Sequence, residues 1–361
     1  MLGTWRLILA LLVVNGHLFS NWWAASYAVF SFYVVSGYLM TFILNETYGF
    51  SLHGFTSFWR GRLLRLLPSY WVGCLISIAL ILTVAPDILQ AWNYKLVLPT
   101  TAHEIFSNAT MIGILHPSEG IVVNGVTLAP TTFSTLVPPA WALSIEIFFY
   151  LALSLFFSRS AQHGAILLAF GIVYMGWSMT SAHSKYFSYF FFPAGALPFA
   201  VGILTYFALR SSEMKNLMKQ KNVIVLSFSS YFIVFATAYA LPSLIKPLLI
   251  ANIATTTAVL AVLTQVRAKE SFRKLDRFLG DLSYPTYLFH WQIGFLVFLA
   301  TGFERNTLPL MLLSTPLILL AAIADRKFVS GPIDDWRRAT DGQDLSYLPR
   351  LQAVWRHRSR F

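Results

Sequence analysis

Arg6 and His17 stand eleven residues apart in an otherwise apolar run near the start of the chain. Eleven residues is close to three helical turns, so both side chains share one face. At about 1.5 Å per residue they are separated by about 16 Å, half the thickness of a bilayer's hydrocarbon core. Arg6 can snorkel to one edge, while His17 is carried into the middle or far half. A neutral imidazole there can take a proton near pH 7 and act as a general base. A lone histidine in a span equally fits an interior residue hydrogen-bonded to a neighbouring helix. Ionisable groups inside spans cost about 2.5–3.5 kcal/mol on insertion scales, so each is a candidate for function. Glu146 belongs to that set, in Pro138-Pro139-Ala140-Trp141-Ala142-Leu143-Ser144-Ile145-Glu146. So do Asp281 and His290, in Asp281-Leu282-Ser283-Tyr284-Pro285-Thr286-Tyr287-Leu288-Phe289-His290-Trp291. Tyr284, Tyr287 and Trp291 form an aromatic stripe that fits a core as well as a site. Arg60, Arg62 and Arg65 precede the third apolar run. Arg62 and Arg65, three apart on a helical start, face the same way, and guanidinium forks match phosphate oxygens. The same arginines also fit a lipid-headgroup anchor. Ser36-Gly37 permits close helix approach, but no G-x-S-x-G context supports Ser36 as a nucleophile.

The elements that position these residues are membrane helices. Of 361 residues, 57% are hydrophobic and 11% charged, against about 45–50% and about 25% in soluble domains. So few charges cannot cover a soluble globule. The same numbers exclude disorder, collagen, coiled coil and a disulfide scaffold. The net charge of +11 is spread between apolar runs rather than gathered in one patch, so no nucleic-acid partner is expected. Cys74 is the single cysteine, which excludes internal disulfides and cysteine metal sites. The eight histidines show no i, i+4 pair, and no metal is expected.

Ten apolar segments are long enough to span, at approximately 2–20, 24–44, 66–85, 139–157, 164–182, 187–209, 222–241, 244–266, 279–300 and 307–324. The first lacks a small-x-small cleavage site and carries Asn15 and His17 late, so it reads as a span rather than a signal peptide. With the N-terminus cytoplasmic, only Lys95, Lys185, Lys246 and Arg305 of the 26 lysines and arginines fall outside. The positive-inside rule predicts that asymmetry. The expected fold is therefore all-α, a polytopic membrane helix bundle of about ten transmembrane helices with both termini cytoplasmic. Residues 1–324 form the membrane domain, with an external loop at 86–138 containing Asp87, His103, Glu104, His116 and Glu119. Residues 325–361 read as a basic, solvated cytoplasmic tail.

Five stretches together resemble the acyltransferase family 3 of integral membrane acyltransferases. The Arg6-x10-His17 spacing is similar to that family's first-helix motif, and Phe32-Tyr33-Val34-Val35-Ser36-Gly37-Tyr38-Leu39 to its second. Arg62-x-x-Arg65 with Leu66-Leu67-Pro68-Ser69-Tyr70-Trp71 resembles its R-x-x-R segment. Trp141-Ala142-Leu143-Ser144-Ile145-Glu146 looks like its W-S-L-S-x-E motif, with Ala142 in place of serine. Ser283-Tyr284 through His290 matches its late S-Y-x-x-Y-L-x-H run. Near the end, Ser330-Gly331-Pro332 departs from the glutamate the family often carries there, and no SGNH esterase-like extension is expected. The resemblance implies transfer of an acyl group, usually acetyl, from acyl-CoA to a hydroxyl of a surface or exported glycan. It implies a catalytic set of His17, Glu146 and Arg6, with Arg6 orienting the donor or stabilising charge on the thioester oxygen, and Glu146 orienting a histidine or receiving the acceptor. Arg60, Arg62 and Arg65 would hold the phosphates of acetyl-CoA. Ser36, Trp141, Tyr287 and His290 would contact substrate. The implied partners are the lipid bilayer of a bacterial cell (inner) membrane and a carbohydrate acceptor. The alternative class is a transporter or flippase of a glycan or acyl-linked substrate, which suits intramembrane ionisable groups equally. The absence of paired, broken helices in the two halves speaks against it.

Overall fold

Backbone groups inside a bilayer find no water, so apolar runs of this length must close their hydrogen bonds internally as helices. A computed structural model of the chain describes residues 1–19, 22–114, 122–123, 126–127, 134–266 and 268–341, and each of the ten apolar segments is helical in it. The helices are α1 (Leu2–Leu18), α2 (Trp22–Ile43), α3 (Leu52–Thr83), α4 (Pro86–Trp92), α5 (Ala102–Thr110), α6 (Ala140–Ala152), α7 (Ala161–Thr180), α8 (Ala196–Ala208), α9 (Ser212–Met218), α10 (Lys221–Ala240), α11 (Ile245–Gln265), α12 (Glu270–Thr301), α13 (Leu308–Asp325) and α14 (Gly331–Asp341). Seven, namely α2, α3, α6, α7, α10, α11 and α13, are long and apolar enough to cross a membrane with their continuations. The segment at 187–209 breaks into a π turn, a 3-10 turn and α8, and α8 meets α9 at a bend of 109°. α1 is short, at 17 residues, and α12 carries His290 and Gln292 in its middle. The chain is thus a polytopic helical bundle.

α2 is the hub, with 83% of its apolar window buried inside the protein, against 22% for α10 at the periphery. α1 packs along α12 and α2, α12 along α13, and α2 along α8. Small residues let these backbones meet. A Cβ on Gly280 would lie 2.7 Å from the Cα of Gly3, and one on Gly202 would lie 2.2 Å from the carbonyl of Val34. At the Arg6 end, Asp276 of α12 accepts from the N–H of Thr4 at 2.8 Å and from its hydroxyl at 2.7 Å. This carboxylate satisfies backbone donors that the first turn of α1 leaves open and sets the register between the two helices.

Two boundaries differ from expectation. The third helix starts well before the apolar segment at 66–85. α3 begins at Leu52 and runs 32 residues through Pro68, about 48 Å, so it overshoots the hydrocarbon core. The tail is not a wholly solvated segment. A π turn at Arg326–Ser330 leads into α14, where Arg337 is buried and donates to the carbonyl of Gly61 at 3.1 Å. Residues 342–361 lie outside the described residues.

The external loop holds α4 and α5, and a two-residue antiparallel pair, Val122–Val123 with Val126–Thr127. His116 and Glu119 lie outside the described residues. Glu104 closes a capping box with Thr101 and accepts from the N–H of Ser134 at 3.0 Å. Burial pushes its carboxyl upward, but the N–H groups of Ser134, Thr100 and Thr101 and the Thr100 hydroxyl outweigh this and hold its pKa down to about 2. Asn108 completes the anchor, donating to the carbonyl of Ser134 at 2.9 Å and accepting from the N–H of Leu136 at 2.8 Å. The loop is thereby tied to the two prolines that start α6.

Candidate active site

α1 connects two cavities. One, of about 270 Å³, surrounds its Arg6 end, and the other, of about 310 Å³, surrounds its His17 end. The first collects Arg6, Ser36, Arg62, Arg65, Glu146 and Tyr287 from five helices. Arg62 is buried, and its Nε has no hydrogen-bond partner. Among the described residues no carboxylate comes within ion-pair distance of Arg6, Arg62 or Arg65. Three other carboxylates at this cavity are engaged elsewhere, Asp276 by the N-terminal ammonium at 3.3 Å, Asp281 by Arg326 at 3.1 Å and Asp334 by Arg337 at 3.0 Å. Three guanidiniums without a carboxylate in ion-pair contact, one with an unsatisfied buried N–H, have the chemistry to hold an anion.

Glu146 shares this cavity. The hydroxyls of Ser36 and Tyr150 both donate to its Oε1. Of the two roles implied for Glu146, orienting a histidine finds no hydrogen bond between Glu146 and a histidine among the described residues. Glu146 faces the Arg6 cavity, while His17 lines the other. Arg60 lines neither cavity, because on α3 it points away from Arg62 and its guanidinium lies over the ring of Trp336 at 5.5 Å.

His17 meets His290 instead. Nδ1 of His17 lies 2.7 Å from Nε2 of His290, and Nδ1 of His290 lies 2.7 Å from the carbonyl of Tyr287. A carbonyl only accepts, so His290 donates from Nδ1 and presents a lone pair at Nε2. His17 must then donate from its own Nδ1, which leaves its lone pair on Nε2. The chain of bonds sets both tautomers of the neutral rings. His290 is fully buried. Tyr287 separates the two cavities, lining the Arg6 cavity while its hydroxyl donates to the carbonyl of Pro139 at 2.7 Å, on the wall of the other.

The His17 cavity is aromatic and cationic. Trp141 lines it, edge-on to Tyr189 and Phe190 with ring centroids 4.9 and 4.8 Å away. Lys95, Lys185 and Arg305 line it too, none of them marked as a site residue by sequence motif. Lys95 is 6% exposed, and burial pushes its ammonium down to about 7. The available signal was their exception to the charge asymmetry, since all three belong to the four basic residues outside. Tyr150, Asp334 and Arg337 at the Arg6 cavity carried no comparable signal.

A helical membrane bundle with a buried polar centre between two cavities defines an integral membrane protein. The acyltransferase-domain family model of acyltransferase family 3 matches residues 2–324, and the chain belongs to that family. It is a membrane acyltransferase. Comparison with curated proteins and with solved structures gave no match.

Proposed function

We propose that the chain transfers an acetyl group from acetyl-CoA to a hydroxyl of a carbohydrate acceptor, such as a surface or exported polysaccharide. The observation that carries this reading is the His17–His290–Tyr287 chain of hydrogen bonds standing between the two cavities. By the charge asymmetry, the Arg6 cavity opens to the cytoplasm, where acyl-CoA is made. Arg62 and Arg65 hold the donor's phosphates. A volume of about 270 Å³, at the small end of the roughly 300–1,000 Å³ usual for ligand pockets, suits the thin pantetheine arm and leaves the nucleotide outside. Arg6 orients that arm. It stands about 16 Å from His17 along α1, too far to share the reacting carbonyl with it, so the role of stabilising the thioester oxygen is set aside. Glu146, with Ser36 and Tyr150, balances the arginines on the donor side.

The acceptor hydroxyl enters from the His17 cavity. His17 Nε2 takes the hydroxyl proton as the oxygen bonds to the thioester carbonyl carbon. The tetrahedral intermediate collapses by breaking the carbon–sulfur bond. The imidazolium returns its proton to the departing sulfur, so the ring is neutral again. Through the hydrogen bond at Nδ1, His290 stabilises His17 while it is charged.

The test uses membranes carrying wild type or His17→Ala at matched levels, supplied with acetyl-CoA labelled in the acetyl group. Label is expected in glycans or lipid-linked sugars with wild type, and at least about 100-fold less with His17→Ala, the low end for losing a general base. Equal labelling would remove His17 as the base. No labelling with any acyl-CoA would favour the transporter reading.

A further inference from the structure

We propose that the acceptor is an anionic saccharide, a sugar bearing a carboxylate or phosphate that is seated by Lys95, Lys185 and Arg305 in the His17 cavity. This rests on the reading of that cavity as the acceptor side. Loops on the external face are depleted of basic residues, and this chain has only four there, Lys95, Lys185, Lys246 and Arg305. Three of the four converge on one cavity, together with His17. Among the described residues no aspartate or glutamate lines it.

Lys95 is buried and Arg305 is exposed at the cavity, and neither is within ion-pair distance of a carboxylate among the described residues. Lys95 is 6% exposed, and among the described residues its ammonium meets the ring of Tyr94, 5.7 Å away, and no carboxylate. A buried ammonium without an anion is costly, and the pKa near 7 has burial as its sole cause. An arriving anion would relieve that cost. Arg305 is fixed by stacking over Trp291 at 4.5 Å and by donating to the carbonyl of Trp92 at 2.9 Å. One bond uses one of its five N–H donors, so a preorganised fork is left to grip a carboxylate or phosphate. Trp141 and Trp291 add flat apolar walls of the kind that complement a sugar ring's C–H face. Lys185 stands exposed at the rim, where it can steer a charged ligand inward.

The experiment is a tryptophan-fluorescence titration of the full chain in nanodiscs of zwitterionic lipid, with glucose, glucuronate, glucose 1-phosphate and inorganic phosphate as probes. Wild type is expected to bind at least one charged sugar tenfold or more tightly than glucose. Glucuronate and glucose 1-phosphate distinguish the carboxylate from the phosphate form. The preference is expected to vanish in Lys95→Met with Arg305→Gln, and to persist in Lys246→Met, which removes an external charge outside the cavity. Equal binding of all three sugars by wild type, or a preference that survives the double substitution, overturns the proposal. Inorganic phosphate bound as tightly as glucose 1-phosphate overturns its saccharide part. If the double variant does not fold, the wild-type comparison decides alone. Active His17→Ala with an intact anion preference would overturn the proposed function and leave this inference standing. Transfer that depends on His17 but shows no anion preference would do the reverse.

Discussion

His17 and His290 are worth less apart than together. Each alone is a buried imidazole in either of two tautomers, and the carbonyl of Tyr287 settles one ring, which settles the other. His290 is a positioning residue in this scheme, since it touches His17 rather than the reacting atoms. His290→Ala is expected to lower kcat about 10- to 100-fold, short of the full loss of a general base, and to leave KM for acetyl-CoA unchanged. His290→Gln is expected to recover part of that loss, because a side-chain carbonyl can still accept from His17 Nδ1. Label transfer measured at varied acetyl-CoA decides this. Equal kcat in the two variants would mean that His290 only fills space. The pair is also where residue reading reached its limit. Both histidines were candidates from their depth in apolar runs, but their partnership spans 273 positions in the chain, and helical periodicity says nothing about which helix lies opposite.

Between elements, the α1–α12 seam carries the alignment. Asp276 pins α1 at one end and His290 meets His17 at the other, with Gly3 and Gly280 between α1 and α12 at near-contact. Gly280→Ala would press a methyl onto the Gly3 Cα at 2.7 Å, where no flexible side chain can yield. Overpacking of this kind destabilises by about 1–3 kcal/mol. A lowered melting temperature in detergent is expected, with transfer activity falling further than stability, because a small separation of α1 from α12 breaks a 2.7 Å bond between the histidines. Unchanged activity at a lowered melting temperature would show that the seam does not register the site. Gly49→Ala is the contrast, since nothing crowds that position and only its positive φ is disturbed.

At the scale of the whole molecule, the proposed function requires the two cavities to face opposite sides of a bilayer. The charge asymmetry assigns Lys219 to the cytoplasm and Lys246 to the outside. In a Cys74→Ala background, Lys246→Cys is expected to react with a membrane-impermeant maleimide in intact cells. Lys219→Cys is expected to react only after permeabilisation. The opposite pattern would invert the molecule and hand the acyl-CoA side to the His17 cavity. α14 belongs to this scale as well. Its basic stretch reads as a solvated cytoplasmic tail, yet Arg337 and Asp334 pair with each other and line the Arg6 cavity. A polar helix is not required to be solvated when its charges are matched inside the fold.

Hydropathy, charge asymmetry and the spacing of a few costly residues were enough to determine helical spans, a membrane setting and a short set of candidates, because those properties depend on each segment's own partition between lipid and water. The family matched over residues 2–324 agrees with that reading. Tertiary packing decided the rest. It put Glu146 with Ser36 and Tyr150 rather than with a histidine, separated Arg60 from Arg62 and Arg65, and gathered Lys95, Lys185 and Arg305 from three distant loops into one cavity. A helix's sequence specifies which face is polar and how deep a residue sits. Which other polar face it meets is set by close contacts such as Gly3 against Gly280, and those belong to pairs of helices rather than to either one.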